Sequence, residues 1–198
     1  MCALSVRRLR ARVRAAYGAA AAQPGGPHAF PVGRAFAEGV GYPPDLLDAL
    51  PCAAVEAFTG AACLAGAARV PEGAVVLDLG CGAGLDSILA ARSAGPRGRV
   101  LGVDFSPEML ARARRAAREA GAGGIGFLRA DAEALPLRDG AADVALANGL
   151  LNLNPLRSEI LREAARVLRP GGSLFLAELV LQGPLPPEES AGEESWFR

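Results

Sequence analysis

Apolar positions follow two different spacings from residue 74 to residue 181. Short runs of apolar residues predict five strands: AVVLDL, RVLGVDF, GIGFLRAD, AADVALAN and SLFLAELVL. Helical spacing predicts three helices between them: GLDSILAARSA, SPEMLARARRAAREAG and SEILREAARVLRPGG, the last ended by Pro170 and Gly171. Because strands alternate with helices, we expect an α/β fold in which an open parallel sheet has helices on both faces.

Residues 1–70 lack this alternation and are predicted to form a helical segment ahead of the sheet. Five arginines lie within residues 7–14, and no acid precedes Glu38. An Arg-rich, acid-poor beginning is typical of an organelle transit peptide, but this one has few serines, which favours a surface helix of the folded domain. The Pro- and Gly-dense stretch 23–33 predicts a loop, and short helical pieces are expected from Pro43 to Val70.

Composition and charge exclude several kinds of partner. The 198 residues are 51% hydrophobic, which is enough for one domain with a substantial core. The formal net charge is zero, so the chain has no general attraction for nucleic acid or for an anionic membrane. No apolar run is long enough to span a bilayer. We therefore expect a small-molecule partner rather than a nucleic acid or a membrane.

The cysteines do not form a metal site. Cys2, Cys52, Cys63 and Cys81 include no CxxC pair, and His28 is the single histidine. We therefore expect no metal, a reduced chain and a cytoplasmic location, with organelle import through the Arg-rich segment as the alternative. Each cysteine is expected to be a small buried apolar residue.

Three glycines, Gly80, Gly82 and Gly84, follow the first predicted strand at alternate positions. In an open α/β sheet, ligands bind beyond the carboxyl ends of the strands. Glycines there allow a sharp turn and let a ligand lie against bare main chain. The second strand ends in Asp104, about twenty residues further on, where a carboxylate is placed to bind both hydroxyls of a ribose. The combination predicts a site for a cofactor that carries a nucleoside.

The glycine spacing helps to identify the cofactor. Dinucleotide sites use G-x-G-x-x-G, whereas this turn is G-x-G-x-G with Asp78 two residues before its first glycine. An acid in the turn would repel a pyrophosphate, but it suits the ammonium and sulfonium groups of S-adenosylmethionine. A third acid, Asp131, follows the third strand. The alternative is that Asp78, Asp104 and Asp131 only cap the ends of strands.

The region from about Ala74 to Val180 resembles the class I S-adenosylmethionine-dependent methyltransferases. The resemblance implies a Rossmann-like sheet in the order 3-2-1-4-5 and S-adenosyl-L-methionine as cofactor. It assigns the methionine part to Asp78 and the glycines, the ribose to Asp104, and the adenine to residues near 105, 109 and 131; the end of the fourth strand closes the pocket. The implied cofactor-binding residues are Asp78, Gly80, Gly82, Gly84, Asp104, Phe105, Met109, Asp131, Ala132 and Asn148. It assigns no catalytic residue.

The stretches LDLGCGAGLDSILAARSAGPRGRVLGVDFSPEML, ANGLLNLNP and REAARVLRPGGSLFLAELV are most similar to the arsenite methyltransferase group. Members of that group begin with a segment similar to VRAAYG, around Tyr17, which helps to cover the cofactor. They bind trivalent arsenic through cysteine thiolates, since a soft centre needs soft ligands. Here Ala61 and Gly149 stand at two of those cysteine positions, and Cys63 lies two residues after the first.

Three functions remain open. The chain is a methyltransferase of this group that acts on another small molecule, an arsenite methyltransferase with altered thiol ligands, or a cofactor-binding chain without turnover. The intact cofactor motifs favour the first two, and the missing cysteines favour the first over the second.

The chain is expected to be incomplete at its C-terminus. Class I methyltransferases continue with two further strands, whereas this chain stops in ESWFR. Relatives have a segment similar to W-x-x-C, and with Trp196 as its tryptophan the chain ends one residue before the cysteine position. Truncation, a frameshift, or a selenocysteine codon that doubles as a stop signal would each explain this. We divide the chain into an N-terminal cap (1–70), the methyltransferase domain (71–182) and the start of a C-terminal region (183–198).

Overall fold

A parallel sheet forms the centre of the computed structural model, which describes residues 3–180 and Gly183, with side chains from residue 6 onward. Within those residues the sheet has five strands in the order β3-β2-β1-β4-β5, and every neighbouring pair is parallel. The strands are β1 (Val75–Leu79), β2 (Arg99–Asp104), β3 (Ile125–Arg129), β4 (Ala142–Asn148) and β5 (Leu168–Ala177). The predicted fold class and strand order are confirmed.

Helices cover both faces of this sheet. The helices are α1 (Ala3–Ala22), α2 (Arg34–Gly39), α3 (Pro44–Asp48), α4 (Cys52–Val55), α5 (Leu85–Ala94), α6 (Pro107–Glu119) and α7 (Arg157–Val167). Helix α5 packs on one face through Ala90, against Val76 and Val100 of the sheet. Helix α7 packs on the other face through Ile160 and its apolar neighbours. Helix α6 begins after Ser106, whose hydroxyl caps it by accepting a hydrogen bond from the Met109 N–H at 3.2 Å.

The junction of α7 and β5 differs from the prediction. The helix was expected to run to Pro170 and Gly171, but it ends at Val167, and β5 begins at Leu168. A proline disfavours helical backbone at the residue before it, so the helix ends earlier. Pro170 and the two glycines after it lie inside β5, where the pairing with β4 shifts register between Ala142 and Val144. The predicted strand over 173–181 ends at Ala177.

The N-terminal segment packs against the helices that cover the sheet. Tyr42 and Leu47 share a buried cluster with Ile88 of α5. Arg112 of α6 fastens the same layer, since its guanidinium donates to the carbonyl of Ala21 at 2.7 Å and to that of Ala53 at 3.1 Å. Helix α2 lies ahead of the helical pieces predicted from Pro43 onward. The boundary at residue 70 stays a prediction.

Two further predictions concern the ends of the chain. Cys2, Trp196 and the rest of the predicted C-terminal region lie outside the described residues, apart from Gly183. Within the described part, no helix is both long enough and apolar enough to cross a membrane.

Candidate functional site

Two adjoining cavities open at the carboxyl ends of β1 to β4. The main cavity encloses about 730 Å³, its open mouth included, and the smaller one about 370 Å³. They share Thr59, Gly80, Gly82 and Asn148, so they meet at the glycine turn and the end of β4. Their size and position are those of small-molecule sites in open α/β sheets.

The glycine turn is bent by residues that need positive φ. Gly80, Gly82 and Gly84 have φ of 68°, 51° and 84°. The N–H groups of Gly80 and Cys81 donate to the carbonyl of Val103, that of Gly82 donates to the Asp104 carboxylate, and that of Gly84 donates to the Cys81 carbonyl. These four donors are used inside the protein and are not available to a pyrophosphate.

Asp104 lies at the end of β2 and lines the main cavity. One carboxylate oxygen accepts the N–H of Gly82 at 2.9 Å, and the other accepts the N–H of Ser106 at 2.8 Å. Burial raises the pKa of Asp104 to about 6, and the backbone hydrogen bonds partly offset the increase. A carboxylate can accept about four hydrogen bonds, so it keeps capacity for the two hydroxyls of a ribose.

Two buried acids, Asp78 and Asp86, line the smaller cavity. The Asp78 carboxylate accepts a hydrogen bond from the Ser87 hydroxyl. Burial, reinforced by the charge of Asp86, raises the pKa of Asp78 to about 7. Burial also raises the pKa of Asp86. No arginine, lysine or histidine is among the residues that line this cavity in the described part of the chain.

Asn148 joins the end of β4 to the segment between α4 and β1. Its side-chain oxygen accepts the N–H groups of Ala61 at 2.6 Å and Ala62 at 3.2 Å. Its side-chain nitrogen donates to the Asp86 carboxylate and to the Ala62 carbonyl, each at 2.8 Å. The other Asp86 oxygen accepts the Tyr42 hydroxyl at 2.6 Å. Asn148 therefore lies where predicted, and it also holds residues 61–62 in place.

Helix α1 closes the side of the main cavity next to β3. The guanidinium of Arg10 lies 2.5 Å from the Asp131 carboxylate and 2.7 Å from that of Glu133, and all three residues line the cavity. Tyr17 of the same helix also lines it and stacks on Phe30 with the ring centroids 4.6 Å apart. Burial and the charge of Asp104 raise the pKa of the Tyr17 hydroxyl, so it stays protonated near neutral pH.

The structure brings most of the predicted residues to these cavities. Those that line the main one are Gly80, Gly82, Asp104, Phe105, Asp131, Ala132 and Asn148, and Asp78 lines the smaller one. Gly84 lines neither, and a Cβ there would lie 3.1 Å from the Cβ of Ala113 in α6. The placement of Met109 beside the adenine needs correction, because its side chain is fully buried among Ala20, Ala57 and Ala83 and lines neither cavity.

Sequence reasoning missed Arg10, Tyr42, Thr59 and Asp86. Arg10 was one of five similar arginines, and Asp86 was one more acid in the first turn of a helix. Nothing local distinguishes them, since their partners are far along the chain. The one available sequence signal is that Asp86 follows Gly84, the last glycine of the turn, by two residues.

The positions that carry cysteine in the arsenite methyltransferase group adjoin each other. A Cβ on Gly149 would lie 3.6 Å from the backbone nitrogen of Ala61, so two cysteines there would be close neighbours. The described thiols lie elsewhere: Cys81 is buried as expected, Cys63 is half-buried, and Cys52 is exposed, which contradicts the expectation of a buried residue. None of them lines the main cavity, and burial raises the pKa of the Cys81 thiol.

Comparison with known proteins gives one family profile that covers the sheet. The profile is described as "Methyltransferase domain" and matches residues 71–197. An arsenite methyltransferase of Halobacterium salinarum is 37% identical over 128 residues, which are 65% of this chain and 33% of that protein. A demethylmenaquinone methyltransferase of Listeria welshimeri is 41% identical over 107 residues, or 54% of this chain and 45% of that protein. The chain thus spans between a third and a half of the length of these relatives.

Solved structures agree with the fold. The crystal structure of an arsenic(III) S-adenosylmethionine methyltransferase from Chlamydomonas reinhardtii aligns with a TM-score of 0.66 and 33% identity. The alignment covers 76% of this chain and 54% of that one. An S-adenosylmethionine-dependent methyltransferase from Aquifex aeolicus aligns with a TM-score of 0.53 and 25% identity, over 60% of this chain and 65% of that one.

Proposed function

The chain belongs to the methyltransferase domain family, and from that premise we propose that it binds S-adenosyl-L-methionine and methylates a small molecule. The family predicted from the sequence is confirmed by the profile match over residues 71–197. The methyl acceptor and the activity of the whole protein are part of the proposal.

One observation carries the proposal: the smaller cavity holds two buried acids, Asp78 and Asp86, and no basic side chain of the described chain lines it. Buried carboxylates without a cation are costly, so such a cavity favours a ligand that brings positive charge. S-adenosylmethionine carries an ammonium and a sulfonium. A nicotinamide dinucleotide would instead bring a pyrophosphate to a turn in which the N–H groups of Gly80, Cys81, Gly82 and Gly84 are already used.

The remaining contacts follow from the joined shape of the two cavities. The amino-acid end of the ligand would lie in the smaller cavity, near Asp78, and the adenosine in the main cavity, where Asp104 would bind the ribose and Phe105 would pack near the adenine. Asp131 is held by Arg10, so the structure favours this pair, rather than Asp131 alone, as the edge of the adenine site.

When bound, the cofactor would supply an electrophilic methyl group to a nucleophilic atom of the acceptor. The chain's contribution is to hold the two reactants close and aligned, which by itself accounts for a large part of such rate enhancements. No catalytic base is required for a nucleophile that is already reactive.

Two nucleosides test whether Asp78 binds the amino-acid end of the cofactor. S-adenosylhomocysteine carries the amino-acid end, and 5′-methylthioadenosine lacks it. By calorimetry, Asp78→Asn should weaken S-adenosylhomocysteine binding about 10- to 100-fold, the range for a charged hydrogen bond, and leave methylthioadenosine binding unchanged. Asp139→Asn is the control, because Asp139 is 81% exposed and lines neither cavity. Equal weakening of both nucleosides by Asp78→Asn would contradict the assignment.

Trivalent arsenic is a poorer candidate for the acceptor. The two positions that carry cysteine in the group are Ala61 and Gly149, and arsenic held by a single thiol lacks the advantage of chelation. We expect Ala61→Cys with Gly149→Cys to raise arsenite affinity, although the φ of 75° at residue 149 strains any side chain there. Tight arsenite binding by the wild-type chain, unaffected by alkylation of its cysteines, would contradict this expectation. Tight binding that alkylation abolishes would instead favour an arsenite methyltransferase with altered thiol ligands.

A further inference from the structure

The main cavity has a wall that the predicted cofactor contacts do not use. It is formed by Thr59 and by four residues that follow β4: Gly149, Leu150, Leu153 and Asn154. Asp104 and Asp131 follow β2 and β3, on the other side of β1 in the sheet. If adenosine lies on the β2 and β3 side, as proposed above, the acceptor reaches the methyl group from the side of β4.

The residues that form this wall carry no charge. Arg10 is the one basic residue among those described that line the main cavity, and its guanidinium is paired with Asp131 and Glu133. Glu178, at the end of β5, accepts the N–H groups of Leu151 at 2.6 Å and Asn152 at 3.2 Å. An anionic acceptor would therefore find no free cation here, and a cationic acceptor no carboxylate on this wall.

The surface of the same wall is mainly apolar. Leu150 and Leu153 line it, and Val13 and the ring of Tyr17, both on α1, line the same cavity. Neither Cys52, Cys63 nor Cys81 is among the residues that line it. It therefore suits an apolar molecule better than a thiophilic one.

Thr59 supplies a polar group at the critical point of this wall. It lines both cavities, so it lies where they meet, next to the expected position of the methyl group. Its side chain is half-buried, and within residues 3–180 its hydroxyl makes no hydrogen bond. A hydroxyl in this position is free to bind a polar group of the acceptor.

We propose that the methyl acceptor is an uncharged, largely apolar small molecule whose polar group is hydrogen-bonded by Thr59. This inference rests on the proposed function, because the acceptor's position is defined by the bound cofactor. It goes further by naming the chemical class of the acceptor and the residue that orients it.

The class is tested with three probes on the chain saturated with S-adenosylhomocysteine. The probes are 2-naphthol, which is neutral at neutral pH, 2-naphthoic acid, which has the same rings with a negative charge, and arsenite. By calorimetry, 2-naphthol should bind more than about tenfold tighter than 2-naphthoate, since burying an unpaired charge is costly. No binding of 2-naphthol, or equal or tighter binding of either other probe, would overturn the proposed class.

Two variants of Thr59 test whether its hydroxyl binds the acceptor. Thr59→Val removes the hydroxyl at constant shape and should weaken 2-naphthol binding about tenfold, whereas Thr59→Ser keeps the hydroxyl and should stay within about twofold of wild type. Both should bind S-adenosylhomocysteine as the wild type does, which also shows that they fold. If the Val variant binds 2-naphthol normally, or loses S-adenosylhomocysteine instead, Thr59 is not the acceptor's anchor. Failure of the wild type to bind S-adenosylhomocysteine would reject the proposed function itself.

Discussion

Replacement of Asn148 by alanine should destabilise the protein strongly, because one carboxamide satisfies four polar groups. In its absence, the N–H groups of Ala61 and Ala62, the Ala62 carbonyl and one oxygen of Asp86 each lose a partner. An orphaned buried polar group costs about 1–3 kcal/mol. Asn148 is half-buried, so water reaches part of the network, and we expect a total loss of about 2–4 kcal/mol.

Asn152→Ala is the matched control for this prediction. Asn152 follows β4 by four residues, and its side chain makes one solvent-exposed hydrogen bond, to the Leu179 carbonyl at 2.6 Å. Loss of this hydrogen bond should lower the free energy of unfolding by about 1 kcal/mol or less.

The assay is urea unfolding followed by circular dichroism, with thermal unfolding as a second measurement. For a chain of this size, the expected loss at Asn148 lowers the Tm by about 5–15 °C. Asn148→Ala should also weaken S-adenosylhomocysteine binding, because residues 60 and 61 flank the cavity junction. If Asn148→Ala and Asn152→Ala lower the free energy of unfolding equally, the network does not stabilise this segment as argued.

Two further predictions concern the same site. Gly60→Ala should cost about 1–3 kcal/mol in unfolding free energy, because its Cβ would lie 2.6 Å from the Asn148 side-chain nitrogen, whereas Gly66→Ala should be neutral because nothing lies within 4 Å. Asp78 has a folded-state pKa of about 7, above its ordinary value of 3.8, so its contribution to stability is present at low pH and is lost as the pH rises towards 7. Asp78→Asn should therefore gain unfolding free energy relative to wild type between about pH 4 and pH 7, and a pH-independent difference would contradict the raised pKa.

The sheet could be predicted from the sequence because its signals are local. A strand such as β1 is an apolar run followed at once by glycines, and Asp78 and Asp104 occupy fixed positions near strand ends. The carboxyl ends of parallel strands meet at one edge, so residues that are far apart along the chain are brought together by the topology alone. This is why most of the predicted residues line the same cavities.

The contacts that shape the site could not be predicted because they depend on packing between distant elements. Asn148 meets Asp86 across 62 residues of sequence, and Arg10 meets Asp131 across 121. Met109 has the helical position expected of an adenine contact, but α1 covers it and packs it into a buried cluster. No local pattern shows which of two possible neighbours a side chain will face.

The most direct test of the account is a calorimetric titration of the wild-type chain with S-adenosylhomocysteine and, separately, with NAD. The smaller cavity has two buried acids without a cation, and the glycine turn has four of its N–H groups already used. These features predict saturable, one-to-one binding of S-adenosylhomocysteine and no detectable binding of NAD. Binding of NAD in the absence of S-adenosylhomocysteine binding would contradict the assignment of both cavities.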